Sequence, residues 1–584
     1  MGTETIKLDD SSYDLIWEKA TAGLAARAAW WSHRAASDPG ITLMEMWAVL
    51  CDMQSFYLDQ MQESHYRSYL KLLGMEPDEG SCARAWVLFG KAGTDCVLPA
   101  GYRLLADTMV FETGEETELT ANRICGFYRG ADGYQAPGML LSRKHRFALK
   151  KAKVLFSLLL ENPLQAGHRF SFYVLLDEQQ RNPPDSEFTL VRLAWEYRTE
   201  DGWQEAQVLR DDTRGLLCSG CICLGLGSFG TAEGGREIRC RVVEGEYDRM
   251  PVLYKISLNA AEVIQRDTRC CQEYGEFSEA CPRIELRCYL AKTGNVRVFA
   301  EQEKGHWREI TRECVIGPPV SSHRLRRYVY FKGSARCRFV CSARGFEEEY
   351  GPCAVTGVTG QRISLPWDNI LRDSVELMLA QGEGIYRDYR RTDPEEVRWE
   401  NAWHWGETGS EIVLGDGRHG EIPLPSGNGL VLTSLALFEG EKGNVSIGRI
   451  TKPETQELFC GITCRNPMTG RGGRNRKRPS EQFREAGDGL LRQERIVTGK
   501  DAEMLAGRTP GLLIREARAE WKERTLVVTV VPGVSLESEF CRQAYREQVE
   551  KYLEQYRPAG MGLRVETAGG ESHAGTMSFR EISG

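Results

Sequence analysis

The chain has 584 residues, 27% charged and 41% hydrophobic, with a formal net charge of −8. That length holds about three to five domains with sizeable cores, the balance is that of a globular protein, and the lack of a basic excess excludes a general nucleic-acid binder. The 19 cysteines are the compositional oddity. An odd count without a signal peptide points to free thiols in a reducing cytoplasm, not to a disulfide framework.

The opening MGTETIKLDDSSYDLIW has neither a basic n-region nor an apolar h-region, so it reads as no secretory signal. Ile6 also breaks the myristoylation pattern that Met1-Gly2 begins. Asp14 to Trp30 reads as a first helix. Ser37 to Gly74 is more informative. Asp38-Pro39-Gly40 predicts a turn, and Thr42 with Glu45 has capping-box spacing. The helical pattern that follows carries one narrow polar stripe, Glu45, Asp52, Ser55, Asp59 and Gln62. Leu43, Met46, Trp47, Leu50, Met53, Tyr57 and Met61 make most of the rest apolar. A helix apolar around most of its circumference must be buried on several sides. At about 1.5 Å per residue it spans roughly 30 Å. It therefore roofs its own domain or bundles with helices of other chains. Its acids Glu45, Asp52 and Asp59 argue against a membrane span. Gly74 to Pro77 ends the helical region.

Short β-rich runs begin near Ala83 and dominate to about residue 390, broken by Pro99-Ala100-Gly101 and by the hairpin signal Asp201-Gly202. A stretch around Trp195, Tyr197 and Trp203 has an echo at Gly294 to Trp307, which predicts two sandwich-like modules. Gly415-Asp416-Gly417-Arg418-His419-Gly420 predicts tight turns with positive φ at its glycines. Arg471 to Arg478 holds five basic residues and no acid, and reads as an exposed flexible loop. The end is compact α+β. Helices are predicted over Ser480 to Leu491, over Thr498 to Leu505 with Thr498 as cap and Asp501 at N3, and from a Ser535 cap to about Tyr556. Strands are predicted over Leu526 to Val531 and Leu563 to Glu566, and Arg557-Pro558-Ala559-Gly560 stops the last helix. This strand–helix–strand unit suits a ferredoxin-like fold.

Candidate chemistry is sparse. Cys218-x-x-Cys221-x-Cys223 could suggest zinc, but a structural site needs a second ligand pair, and the spacing of Cys240, Cys270 and Cys271 fits no standard finger. The bland reading is cysteine as a small apolar strand residue. Gly225 to Gly230 matches GxGxxG, but further glycines at Gly234 and Gly235 deny it the helix a dinucleotide site requires. No HExxH, GxSxG or Walker A string occurs. His404 reads as a packed or surface strand residue. Asp416 lacks a nearby second acid, base or nucleophile, so it reads as a turn former and His419 as a residue that shapes the turn. No cofactor or metal is expected.

The wording of the chain resembles the baseplate J-like group, the baseplate wedge proteins of contractile injection systems. The resemblance rests first on Asp38, Pro39, Gly40, Thr42, Glu45, Asp52, Tyr57, Leu58, Asp59, Tyr66, Leu70, Leu72, Leu73 and Gly74. Val97 to Thr113, the WEY…DGW…DTRGL string, the GDG turn with Gly443-Asn444-Val445, and the YL…RP-x-G end then follow in order. The basic run at 471–478 departs from the Gly-rich linker usual there. The resemblance implies an α+β multidomain chain. Its parts would be a helical core-bundle segment (1–76), strands of the wedge body (83–125), two β-rich sandwich-like modules (126–290 and 291–395), a β region with the GDG turn (396–479), and an α+β ferredoxin-like end (480–584). The residues singled out for assembly are Asp38, Gly40, Glu45, Trp47, Leu50, Tyr57, Gly415, Asp416, Gly417, Gly420, Arg557, Pro558 and Gly560. The implied role is non-enzymatic: a wedge subunit paired with a related one, in a six-fold ring around the spike hub, next to a sheath-initiating protein. Such a subunit would assemble in the cytoplasm as part of a phage-like particle, without nucleic acid or a membrane span. The alternative is a carbohydrate-binding β-sandwich protein of a tail fibre, with Trp195, Trp203 and Trp307 exposed to stack on sugars.

Overall fold

The computed structural model describes residues 12–568 except 32–34, 36, 60–62, 91–94, 131–145, 165–166, 168, 179–187, 228–233, 322–325, 352, 383, 394–399, 407–408, 428, 456–460 and 492–494. The opening residues 1–11, Met61, Gln62 and the second half of the GxGxxG string thus lie outside the described residues. The helices described are α1 (Tyr13–Arg27), α2 (Pro39–Asp59), α3 (Glu63–Leu72), α4 (Tyr289–Thr293), α5 (Phe346–Tyr350), α6 (Pro479–Leu491), α7 (Gly499–Ala506) and α8 (Glu539–Glu554). No described helix is long and apolar enough to cross a membrane. The chain is α+β, with a small N-terminal helical segment and a β-rich bulk.

It divides into two compact units. One is helical and joins residues 1–78 to 477–492. Glu63 of α3 accepts hydrogen bonds from the Ser480 backbone N–H (3.1 Å) and hydroxyl (2.8 Å) at the start of α6. Tyr66 and Tyr69 pack on Phe483 at 5.8 and 5.7 Å between ring centroids. The Gln482 side chain accepts from Asp78 N and donates to Glu76 O. A helix some 400 positions away in sequence thus completes the N-terminal unit.

The β-rich unit holds residues 79–476 and 493–584. Its six-stranded sheet has the order Ile450–Pro453, Arg103–Ala106, Met109–Thr113, Ala260–Ile264, Arg84–Gly90, Thr463–Arg465. Three distant chain segments therefore build one sheet. The two β-rich modules are insertions between its strands.

The first module is a sandwich of two five-stranded antiparallel sheets. Alternation along Val191–Thr199 and Arg169–Leu176 places Trp195, Tyr197, Phe170 and Phe172 in its core. That core continues into the C-terminal region. There Ile514–Lys522, Thr525–Pro532 and Gly562–Thr567 form a three-stranded sheet, its last two strands parallel and joined through α8. Tyr545 of α8 donates to Asp248 at 2.6 Å inside this shared core. The Thr498–Asp501 capping box starts α7 as expected. By contrast α8 begins at Glu539 rather than after Ser535, because Glu246 of the sandwich accepts the Glu537 and Ser538 N–H groups.

The second module is not a sandwich. The strand His306–Glu309 pairs both with Asn295–Glu303 and with Ile385–Arg391. Seven strands of its ten-stranded sheet therefore close into a ring. Phe299, Trp307, Val340, Met378, Ala380, Tyr386 and Val431 form one buried cluster within it. The Arg338 guanidinium lies 4.1 Å from the Trp307 ring centroid and forms a bidentate pair with Asp388 at 2.6 and 3.0 Å. Trp307 Nε1 donates to the same carboxylate at 2.9 Å. Removing Asp388 strands a cation whose side chain is only 7% exposed. Asp388→Ala is therefore expected to cost about 3–5 kcal/mol, read by calorimetry as a lower unfolding temperature, with Asp388→Asn milder.

Candidate assembly surface

α2 starts four residues earlier than the Thr42 capping box predicts. Asp38 Oδ1 accepts from Gly40 N (2.8 Å) and Ile41 N (3.2 Å), and Pro39 takes the first helical position, where its missing N–H costs nothing. The Thr42 hydroxyl instead donates back to Asp38 O at 3.2 Å. Gly40 is fixed by packing, since a Cβ there would lie 2.1 Å from Trp31 Cζ2. α1 packs against α2, and Tyr13 N at its start donates to Asp52 Oδ1 at 3.1 Å.

The burial of α2 reverses the usual arrangement. Its buried positions are Ile41, Ala48 and Ser55, one every seven residues, with Glu45 and Asp52 half-buried beside them. Most of the polar stripe thus turns inward. Leu43, Met46, Trp47, Val49, Leu50, Met53, Phe56 and Tyr57 are exposed, with Trp47 at 71% and Leu50 at 53%. The side chains of Leu58 and Asp59 lie outside the described residues. Leu43, Met46, Leu50, Met53 and Tyr57 alternate by three and four, the spacing of a coiled-coil seam. That regular spacing was readable from the sequence, as were Val49 and Phe56, which extend the surface. Trp30, Leu72 and Leu73 are further exposed apolar residues of this unit.

The remaining singled-out residues lie in the other unit and serve turns. Asp416 Oδ1 accepts from Arg418 N (2.8 Å) and His419 N (2.6 Å), and Oδ2 bonds His419 Nδ1 at 2.8 Å. These bonds, the His419 amide first, hold its carboxyl well below the usual carboxylate range. Gly417 and Gly420 have φ of 86° and 133°. Gly415 does not share that conformation; it is required because a Cβ would lie 2.3 Å from Glu421 O. Arg557 donates to Met561 O and pairs with Glu554, while Gly560 has φ of 83°, so Arg557, Pro558 and Gly560 turn the chain from α8 into its parallel strand. His404 sits between the buried Trp403 and Trp405 and bonds Trp405 O through Nδ1.

Two further stretches can be placed. Burial pushes the Cys218 and Cys221 thiols of the cysteine cluster up to about 12. The basic run is not a loose loop. Bridges pair Ser81 with Arg474 and Arg84 with Arg471, Asn444 and Gly473 exchange hydrogen bonds, and Arg476 donates to Ile370 O at 2.7 Å. Its side chains are largely exposed while its backbone is clamped.

Residues 12–68 match the family model described as "Bacteriophage baseplate protein, N-terminal domain". The helices α1 and α2 and the start of α3 are thus similar to that domain. No curated protein matches the chain. Among solved structures, a cryo-electron-microscopy structure of the type VI secretion system TssK-TssF-TssG baseplate subcomplex has a chain 11% identical, with 90% of this chain and 96% of that one covered at a TM-score of 0.38. A six-fold symmetrised anti-feeding prophage baseplate has one 10% identical, with 97% and 76% covered at a TM-score of 0.24. Superpositions that distant carry no argument.

Two outcomes follow for the isolated chain. Trp47→Ser with Leu50→Ser leaves its thermal unfolding within about 0.5 kcal/mol of the parent, because surface positions contribute little. Ala48→Asp, at a position only 1% exposed, destabilises the helical unit, and hydrogen exchange across α1 and α2 reports it. At the turn, Asp416→Ala costs about 1 kcal/mol near neutral pH, the scale of a lost cap. A depressed carboxyl contributes above its unfolded pKa and loses that contribution as pH falls. The penalty therefore shrinks below about pH 4, which thermal unfolding over a pH series measures.

Proposed function

We propose that this chain is a structural, non-enzymatic wedge subunit of the baseplate of a contractile injection system. The observation that carries the reading is a coincidence of position. The segment similar to a baseplate N-terminal domain is also the segment whose longest helix turns its polar stripe inward and its apolar residues outward. In this reading α2 joins a bundle with the helices of a related wedge subunit. Six such wedges ring the spike hub and meet a sheath-initiating protein, and the particle assembles in the cytoplasm. The parts 1–76, 83–125, 126–290, 291–395, 396–479 and 480–584 would be the working modules. Asp38 and Gly40 would set the start of the bundle helix, Glu45 its inward stripe, and Trp47, Leu50 and Tyr57 its outward face. Gly415, Asp416, Gly417, Gly420, Arg557, Pro558 and Gly560 would hold the turns of the body.

The carbohydrate reading needs exposed aromatics. Trp195 is 1% and Trp307 3% exposed, and the half-buried Trp203 is capped by the Arg239 guanidinium 4.0 Å from its ring centroid. Those three residues therefore offer no stacking platform.

Deleting residues 1–75 would also strip α6 of its partner helix, so point substitutions make the cleaner test. Trp47→Ser, Leu50→Ser and Tyr57→Ser together are expected to leave a folded chain that no longer co-purifies with sheath, tube and spike proteins. Intact contractile particles built with the triple variant would overturn the reading.

A further inference from the structure

Three thiols converge where α4 meets the ring of strands. Cys271 lies on Asp267–Phe277 and is in direct register with Cys341 on Ala335–Ser342. Cys288 caps α4, its Sγ accepting from Ala291 N at 3.2 Å. The Cys271 and Cys288 sulfurs are 3.3 Å apart. Both residues are half-buried, whereas Cys341 is fully buried. Glu273, two positions along the strand from Cys271 and on the same face, accepts the Arg287 and Cys288 N–H groups.

The chemistry of the three thiols is unequal. Hydrogen bonds from Cys288 and then Cys341 pull the Cys271 thiol below the usual thiol range, so it is the most acidic of the three. The same interaction, led by Cys271, pushes Cys288 up to about 12. Burial, and then the neighbouring Cys288, raise the Glu273 carboxyl to about 7, so it can take a proton near neutrality. An acidified thiol within 3.3 Å of a second thiol is the arrangement that reacts by thiol–disulfide exchange.

We propose that Cys271 and Cys288 form a redox pair, with Cys271 as the attacking thiolate and Cys288 as the resolving thiol, oxidised by a small-molecule disulfide. Cys271 Sγ attacks one sulfur of the small disulfide, forming a mixed disulfide and expelling the other half as a thiolate. Cys288 gives its proton to Glu273 and attacks Cys271 Sγ, forming the Cys271–Cys288 bond and expelling the second half. Two electrons pass to the small disulfide, which leaves as two thiols once its two sulfurs are protonated. The sulfurs need close only from 3.3 Å to about 2.05 Å.

The bond would fix a junction. Tyr289, next to Cys288, is buried in the core of the six-stranded sheet and bonds Glu454 at 3.2 Å and Thr455 at 3.1 Å. Ala291, two residues on, is buried in the core that contains Cys341. α4 thus bridges two cores, and oxidation would tie it to the ring.

The test uses the reduced full-length chain, oxidised glutathione as probe, an acid quench with alkylation, and tryptic mass spectrometry. The expected product is peptide 270–283 joined to 288–292, lighter than their sum by two hydrogen atoms. Cys288→Ser should stall with one glutathione on Cys271, and Cys271→Ser should leave Cys288 free. Should a variant misfold, limiting iodoacetamide on the parent chain reads the same order, with Cys271 labelled before Cys288 and Cys341. Glutathione confined to the exposed Cys281, a link to peptide 339–344 instead, or a cross-link surviving in Cys271→Ser would each overturn the assignment.

Discussion

The inward turn of the polar stripe of α2 is the constraint on which the rest of the helical unit depends. Asp52 holds the start of α1, and Ile41, Ala48 and Ser55 form the narrow buried seam. The opposite face then exposes eight large apolar residues. Full burial of each such side chain is worth roughly 1.5–3 kcal/mol. Because they are already partly covered, the remaining gain is on the order of 10 kcal/mol. Association costs an estimated 4–15 kcal/mol, so one helix face is close to break-even by itself. A partner that covered only α2 would bind weakly. A tight complex through this face would need further buried surface beyond α2.

The β-rich unit is organised by return rather than by succession. Its six-stranded sheet closes only when residues 450–465 come back to strands laid down before residue 113. Glu112 marks the point where that sheet hands over to the ring of strands. Its carboxyl is buried and accepts from Arg266 Nε, Thr268 N and the Thr268 hydroxyl. Burial raises it, while Arg266, Thr268 and Arg103 oppose that rise. Removing one member of such a node leaves an uncompensated buried charge, so its members depend on one another.

What the sequence conveyed follows the range of the interactions. Local devices were readable: the turn of Asp416 through its own downstream amides, the capping box of Thr498 and Asp501, and the strand–helix–strand order at the end. The start of α2 was misplaced because Thr42 and Glu45 imitate a cap that Asp38 and Pro39 already provide. The closure of the second module was not readable. It depends on pairing His306–Glu309 with Ile385–Arg391, and alternation looks the same in a sandwich and in a ring. The basic run misled for a related reason. Its charges suggest a solvated loop, whereas its backbone partners lie some 390 positions earlier. The apolar excess of α2 was legible, but which face stays uncovered was not, since that is set by the position of α1.

The basic run gains a meaning from that pairing. The chain passes between the two units at 78–79, 476–477 and 492–493. On the β-rich side, the first two of these connections do not run separately. Ser81 pairs with Arg474 and Arg84 with Arg471, and Glu79 forms ion pairs with Arg476 at 3.2 Å and with the buried Arg372 at 2.9 Å. Arg476 also reaches Ile370 O, so the clamp is tied to the module that contains the ring. Two strands joined by cross-bonds share a pull that a single linker would have to carry alone. The arginines read as a solvated loop in the sequence, but their backbone bridges and the Arg476–Glu79 ion pair make them the fastening of that pair.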